Sequence, residues 1–213
     1  RDAENAEEFF ALAKKYELPL KIISGQKEAE LTFKGTLGCS PRKDVVVVDI
    51  GGGSTEIIGS GSVGVKVKSL DIGSVRLTEM FVSSHPVLSS QIVEIEAYVK
   101  NELQKNKEAL PTERISQIVA VAGTPTTLAA IDLGVFAADK VDGYILSLGH
   151  LCTWRDRLAA MSISERESLP GMDPGRADVI VAGTTILIEV LQFYGVKELE
   201  VSTKGVRYGL VVE

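Results

Sequence analysis

Cysteine and histidine are scarce in this chain, with two of each among 213 residues. Cys39 and Cys152 stand far apart with no metal-like spacing, so a cysteine-ligated zinc site is not expected. They read as free thiols in a reducing, cytoplasmic setting. His85 and His150 each stand near the start or end of a helical stretch, where capping or surface roles suit them better than catalysis. Ser54 and the distant His85 make no hydrolase triad, because no G-x-S-x-G elbow surrounds the serine. Basic residues are outnumbered, 23 against 29 acids, for a formal net charge of -6. A non-specific nucleic-acid binder should be basic, so no nucleic-acid partner is expected. No apolar run approaches the length of a membrane span, so no membrane partner is expected either. No signal-peptide pattern opens the chain, and the sequence shows no internal repeat. The opening RDAENAEEFF has no initiator Met and enters a helix almost at once, which leads us to expect a piece of a longer protein. What the chain does have is 45% hydrophobic and 24% charged residues, enough for a packed core in one or two domains.

Periodicity predicts helices over residues 4–16, with Phe9, Leu12 and Ala13 on one face, and over 25–33, with Glu28 in the first turns. Residues 18–23 read as a short apolar strand and 35–43 as a linker. Residues 45–48 are four consecutive valines, as expected of a strand buried on both faces. Extended stretches at 54–59 and 63–70 complete a three-strand antiparallel meander. Helices follow at 74–82 and 88–108, a strand at 115–121, and helices from 124, at 147–160 and at 176–194, the last closed by Gly195. A strand at 199–202 and a helix from 205 end the chain. Asp173, Arg176 and Asp178 read as surface charges at a helix N-terminus, and Trp154 as packing. The order implies a mixed α/β fold.

Two glycine runs lie within residues 45–64, VVVVDIGGGSTEIIGSGSVG. Gly59, Gly61 and Gly64 match the G-x-G-x-x-G spacing of a dinucleotide-binding turn. That motif needs a helix after it and an acid at a strand end about 20 residues on. Here VKVKSLD alternates like a strand, and Glu79 falls inside a helix. The run reads as a hairpin turn. Gly51, Gly52 and Gly53, followed by Ser54, differ. Glycine permits positive φ and close approach to the backbone, and successive N–H groups form an anion nest. Folding the hairpin about these glycines sets Asp49 opposite Glu56. Two carboxylates beside a phosphate suit Mg²⁺, which takes one or two carboxylates plus phosphates and water. A plain glycine hairpin with two solvated acids fits the spacing as well. A second loop, IVAVAGTPTTLAA at 118–130, ends a strand at Gly123 and Thr124 and opens a helix, an anion site in its own right or a simple N-cap.

The segments VVDIGGGSTE, DIGSVRLTE and AGTPTTLAA closely resemble those of the exopolyphosphatase and guanosine pentaphosphate phosphatase family. ISGQKEAEL at 23–31 resembles the I-S-G-x-E-E-A segment of that family, and VSTKGVRYG at 201–209 its closing motif. The resemblance runs in register along the whole chain. It implies an actin-like (ribonuclease-H-like) α/β fold of the sugar kinase, heat-shock and actin ATPase superfamily. It implies hydrolysis of the terminal phosphoanhydride of inorganic polyphosphate, or of the 5′ γ-phosphate of guanosine pentaphosphate, with Mg²⁺.

By the same resemblance Glu28 is the general base, with Lys27 replacing the first glutamate of the pair. Asp49 and Glu56 bind the metal. Gly51, Gly52, Gly53 and Ser54 hold phosphate through backbone N–H groups, Gly123 and Thr124 form a second phosphate loop, and Arg76 stabilises charge on the phosphate chain. Members of that family often form dimers, so a homodimer is among the expected partners. Residues 1–41 are expected to be the end of a first actin-like domain with its linker, 42–204 a second such domain, and 205–213 the start of a helix returning toward the first. Such a piece alone is expected to be nearly inactive. Two other readings stay open: an ATPase or kinase of the same superfamily, and a non-catalytic guanosine-nucleotide-binding regulator. Without the resemblance, Glu28 reads as an ordinary surface helix residue.

Overall fold

The four valines of residues 45–48 are completely buried, and they lie in strand β1, Val45–Ile50. Alternate side chains of a strand point to opposite faces, and here each face has its own core. Val46, Val48 and Ile50 join a large core, while Val45 and Val47 join a smaller one. Each fully buried valine stabilises the fold by about 1.5–2 kcal/mol. This double burial explains why the strand is continuously apolar rather than alternating.

The computed structural model describes residues 6–20, 22–38, 42–61, 64–111 and 114–211. The first helix is α1, Ala6–Lys15. Its Ala13 is buried, but Phe9 and Leu12 are exposed, so the face read from periodicity is covered only in part. Residues 18–20 and 22–24 are irregular rather than a strand. Apolar composition alone does not make a strand, and none of these residues pairs with the sheet. Helix α2, Gly25–Leu37, starts on Ser24, whose side chain accepts from the Lys27 amide, and ends at Gly38 with φ +70°. It therefore runs four residues beyond the expected end and takes up part of the expected linker. Residues 39–41 of that linker lie outside the described residues.

β1 pairs antiparallel with β2, Thr55–Ser60, and β2 pairs antiparallel with β3, Val65–Leu70, as the meander predicted. The turn between β2 and β3 is closed by the Gly61 amide donating to the Gly64 carbonyl at 2.8 Å. The nucleotide-like glycine run is thus part of a hairpin connection, with Ser62 and Val63 outside the described residues. Helices α3, Ser74–Phe81, and α4, Ser89–Lys105, lead to β4, Gln117–Val121, which lies parallel to β1. Helix α5, Gly123–Leu133, follows at once.

Three short elements escaped the periodicity: α6, Ala138–Val141, β5, Ile145–Ser147, and α8, Ile163–Glu167. Each is too short to show a period. Helix α7, Leu148–Ala159, lies between the last two. A 3-10 turn at Pro174–Arg176 precedes α9, Ile180–Tyr194. α9 is buried along nearly its whole length and forms the middle of the large core. Gly195 caps it in the left-handed conformation. Strand β6, Glu198–Val201, lies parallel to β4, and α10, Val206–Val211, ends the described chain.

The sheet order is β3-β2-β1-β4-β6-β5, an antiparallel meander followed by parallel strands with a short antiparallel edge strand. The large core sits on one face of the sheet. The small core, with Ala29 and Phe33 of α2, sits on the other. α2 therefore lies across the sheet beside the β1–β2 turn, and Glu28 comes with it.

Candidate active site

The register of the first hairpin places Asp49 opposite Glu56 and Ile50 opposite Thr55. The turn closes with the Gly51 amide donating to the Ser54 carbonyl at 2.9 Å. Its carbonyls face α3. The Ser74 amide donates to the Gly51 carbonyl, and the Val75 and Arg76 amides both donate to the Gly52 carbonyl, each at 3.0 Å. Arg76 Nε donates to the Gly53 carbonyl at 2.8 Å. The N-terminus of α3 is thereby satisfied by the turn. Among the described residues, the Gly52, Gly53 and Ser54 amides are left without a hydrogen-bond partner.

Two expectations about this turn need correction. None of Gly51, Gly52 and Gly53 adopts positive φ. Their lack of a side chain serves close packing instead: a Cβ on Gly52 would stand 3.2 Å from Val75 Cγ2. The Gly51 amide is also already engaged, so the amides available to an anion are those of Gly52, Gly53 and Ser54. Gly73 is needed just as firmly, because a Cβ there would fall on the Gly52 carbonyl group. Gly73→Ala should destabilise the protein by about 3 kcal/mol in urea unfolding. An unchanged midpoint would show that α3 docks without needing this glycine.

The carboxylates converge on the same side. Glu56 accepts from Ser54 Oγ at 2.8 Å and from Ser69 Oγ at 2.7 Å. Burial, then the neighbouring Glu56 and Glu28 carboxylates, push the Asp49 carboxyl up to about 6. A cleft of about 720 Å³ is lined by Glu28, Asp49, Gly53, Ser54, Glu56 and Arg76, with Gly51 and Asp71 also at its wall. Arg76 Nη2 lies 3.7 Å from an Asp71 carboxylate oxygen. The cleft thus gathers four acids and one arginine, a set that attracts cations rather than a bare polyanion. Among the described residues no three His, Cys, Asp or Glu side chains are grouped to hold a metal by themselves. What the site offers is a facing pair of carboxylates.

The second loop lies next door, because β4 pairs with β1 so that Val121 stands beside Asp49. Ala122, between β4 and α5, has φ 73° and ψ -166°. That region is essentially reserved for glycine, and occupying it costs of order 1–3 kcal/mol. The Arg176 guanidinium lies directly over Gly123, where a Cβ would coincide with it. The Thr124 side chain does not face the cleft beside this loop. Its side chain is buried against Gly183 of α9, and its hydroxyl is without a partner among the described residues. Thr126 Oγ1 donates back to the Ala122 carbonyl at 2.9 Å.

Around this loop is a second cleft of about 710 Å³, lined by Gly123, Thr126, Phe136, Arg176, Arg207 and Tyr208 among others. It shares no lining residue with the first. The structure therefore brings Glu28, Asp49, Gly51, Gly53, Ser54, Glu56 and Arg76 together, with Gly52 in the same turn. Gly123 lines the neighbouring cleft and Thr124 lines neither.

The sequence reading missed Ser69, which the β2–β3 register places opposite Glu56. It also missed Arg207, Tyr208 and the role of Arg176. The run MDPGRAD held a signal for the last: Pro-Gly before an arginine favours a tight turn, and a tight turn re-aims the side chain that follows.

Comparison with known proteins identifies the family. The pattern of the Ppx/GppA phosphatase family matches residues 1–213. Exopolyphosphatase 2 of Mycobacterium tuberculosis is 34% identical over 226 residues, an alignment spanning all of this chain and 71% of that protein. The solved structure of the Aquifex aeolicus PPX-GPPA enzyme superposes with a TM-score of 0.86 at 33% identity, covering 99% of this chain and 71% of that one. An exopolyphosphatase from Cytophaga hutchinsonii gives 0.83 at 28% identity, covering 98% and 69%. These neighbours have the actin-like fold, and the mixed six-stranded sheet with flanking helices has it too. With its glycine turn, its facing carboxylates and its match along the whole length, the chain belongs to the Ppx/GppA phosphatase family.

Proposed function

We propose that the protein hydrolyses the terminal phosphoanhydride of a phosphate chain, with inorganic polyphosphate as the first substrate class and guanosine pentaphosphate as the second. The observation that carries this reading is the convergence of Glu28, the facing Asp49 and Glu56, and the glycine turn with its open amides in one cleft. Phosphoryl transfer relies chiefly on positioning and charge neutralisation. Each group in the cleft has a part in that. The Gly52, Gly53 and Ser54 amides hold non-bridging oxygens of the terminal phosphoryl group. Glu28 accepts a proton from the attacking water. The new P–O bond forms to that water oxygen as the bridging bond to the rest of the chain breaks, and the shortened chain leaves with the bond's electron pair. Arg76, held by the Gly53 carbonyl and Asp71, brings positive charge to the turn.

Mg²⁺ suits the donor set, since Asp49 and Glu56 supply the one or two carboxylates that this ion takes alongside phosphate and water. Bound there, it would neutralise charge on the phosphates and offset the repulsion among the cleft acids.

The neighbouring cleft suits the rest of the substrate. Arg176 and Arg207 match the phosphates of a longer chain, and arginine binds phosphate in bidentate fashion. The exposed rings of Phe136 and Tyr208 beside them favour the second substrate, because a purine base stacks on aromatic faces. Arg176→Ala should raise KM for both substrates by about tenfold with little change in kcat, since these contacts are kept from ground state to transition state. Phe136→Ala should raise KM for guanosine pentaphosphate alone. Steady-state kinetics of the full-length protein on each substrate checks both. An unchanged KM in Arg176→Ala would remove this cleft from the proposal.

A further inference from the structure

Helix α2 carries Glu28, and its other half crosses α10 backbone to backbone. Gly35 and Gly209 meet at that crossing. A Cβ on Gly35 would fall on the Gly205 carbonyl and stand 2.5 Å from the Gly209 amide nitrogen. A Cβ on Gly209 would fall on the Leu31 carbonyl oxygen and stand 2.6 Å from its carbon. Thr36 Oγ1 lies at the same crossing, shared between the Thr32 carbonyl of its own helix at 2.7 Å and the Lys204 carbonyl at 2.9 Å. Gly35 lies inside a helix, where alanine would be favoured by about 1 kcal/mol on propensity alone. A glycine there calls for a reason, and the contact supplies one.

The other side of α2 rests on the sheet. Ala29 and Phe33 pack in the small core against Val45, Val47 and Ile58. Gln26 Nε2 donates to the Val65 carbonyl at 3.2 Å. The helix is therefore held between the sheet and α10, with Leu31 as the α10 contact one turn beyond Glu28. A rigid helix passes a displacement at Leu31 on to Glu28.

We infer that Gly35 and Gly209 are positioning residues for the hydrolytic reaction, setting through the α2–α10 crossing where Glu28 stands over the Asp49–Glu56 pair. The inference rests on the hydrolytic reading above. A methyl group at either glycine opens the crossing by about 1 Å, and a misplacement of that size costs about a hundredfold in rate.

The test uses Gly209→Ala and Gly35→Ala in the full-length protein, alone and combined with Glu28→Gln, assayed for phosphate release from polyphosphate. Each single variant should lose about thirtyfold or more in kcat with KM within about threefold, since the phosphate-holding turn is untouched. Val99→Ala, a buried change in α4, should lower Tm comparably yet keep kcat within about twofold below the transition. In the Glu28→Gln background, Gly209→Ala should cost less than about threefold more, because a residue acting only through Glu28 has nothing left to misplace. An additive loss in that background would overturn the inference. So would full kcat in a folded Gly209→Ala protein, which would show that α10 yields instead of α2. Should both glycine variants fail to fold, Thr36→Val decides, because it keeps the volume and removes the tether to Lys204 together with the hydroxyl's 2.7 Å bond to the Thr32 carbonyl, which lies within α2 and does not hold it to α10. It should lower kcat by about fivefold, and full kcat would count against the inference. A Glu28→Gln protein with undiminished turnover would instead sink the hydrolytic reading itself.

Discussion

Glu28→Gln should lower kcat on polyphosphate by about a thousandfold while leaving KM equal to or below that of the parent protein. The substitution keeps the size of the side chain and its place in the first turn of α2. It removes the capacity to take a proton, and general base catalysis contributes about 10²–10⁴-fold. The direction of KM follows from the charge of the cleft. Glu28 shares it with Asp49, Glu56 and Asp71, against Arg76 alone. Removing one negative charge eases the approach of a polyanion. A catalytic loss accompanied by a large rise in KM would show that Glu28 binds substrate or metal rather than the attacking water. Undiminished turnover would remove it from the chemistry.

Asp49→Asn should move activity and stability in opposite directions. Folding raises the Asp49 carboxyl from 3.8 to about 6, first through burial and then through Glu56 and Glu28. The folded protein therefore holds this proton more tightly than the unfolded chain. The stabilisation that goes with the protonated form is complete below 3.8 and is lost as pH rises through about 6. At pH 7.5, with chelator present, the ionised carboxylate strains the hairpin, and asparagine should relieve it by about 2 kcal/mol. Near pH 4 the gain should disappear. Turnover with Mg²⁺ should fall by about a hundredfold or more, because one of the facing carboxylates is gone. Urea unfolding of both proteins at the two pH values, in chelator, is the check. Equal stability at pH 7.5 would show that Asp49 is not strained in the metal-free cleft. The pattern is that of a functional site that costs the fold some stability.

The parts legible in the sequence were those set by local pattern. Four buried valines announced β1, and the glycine hairpin after them fixed Asp49 against Glu56 by counting alone. The period of α4 and the capping glycine of α9 were equally local. What failed depended on distant chain. Residues 18–23 have the composition of a strand, yet no sheet edge takes the described ones, 18–20 and 22–23. The burial of the Thr124 side chain was not legible either, because Gly183, about sixty positions later, leaves the space that it fills. Arg176 looked like one of three surface charges until the 3-10 turn before α9 brought it over Gly123. Of the two reasons given for the triple glycine, positive φ was wrong. The run permits α3 to dock against the turn.

The most direct test of the account is the fate of the terminal phosphate. The full-length protein, with Mg²⁺ and polyphosphate of defined length, should release orthophosphate while the chains shorten from their ends, with no requirement for a nucleotide. Separate incubation with guanosine pentaphosphate reports whether the second cleft also takes a nucleoside. Absence of release from either substrate, together with ATP-dependent phosphate transfer to a sugar, would contradict the account and assign the cleft to a kinase.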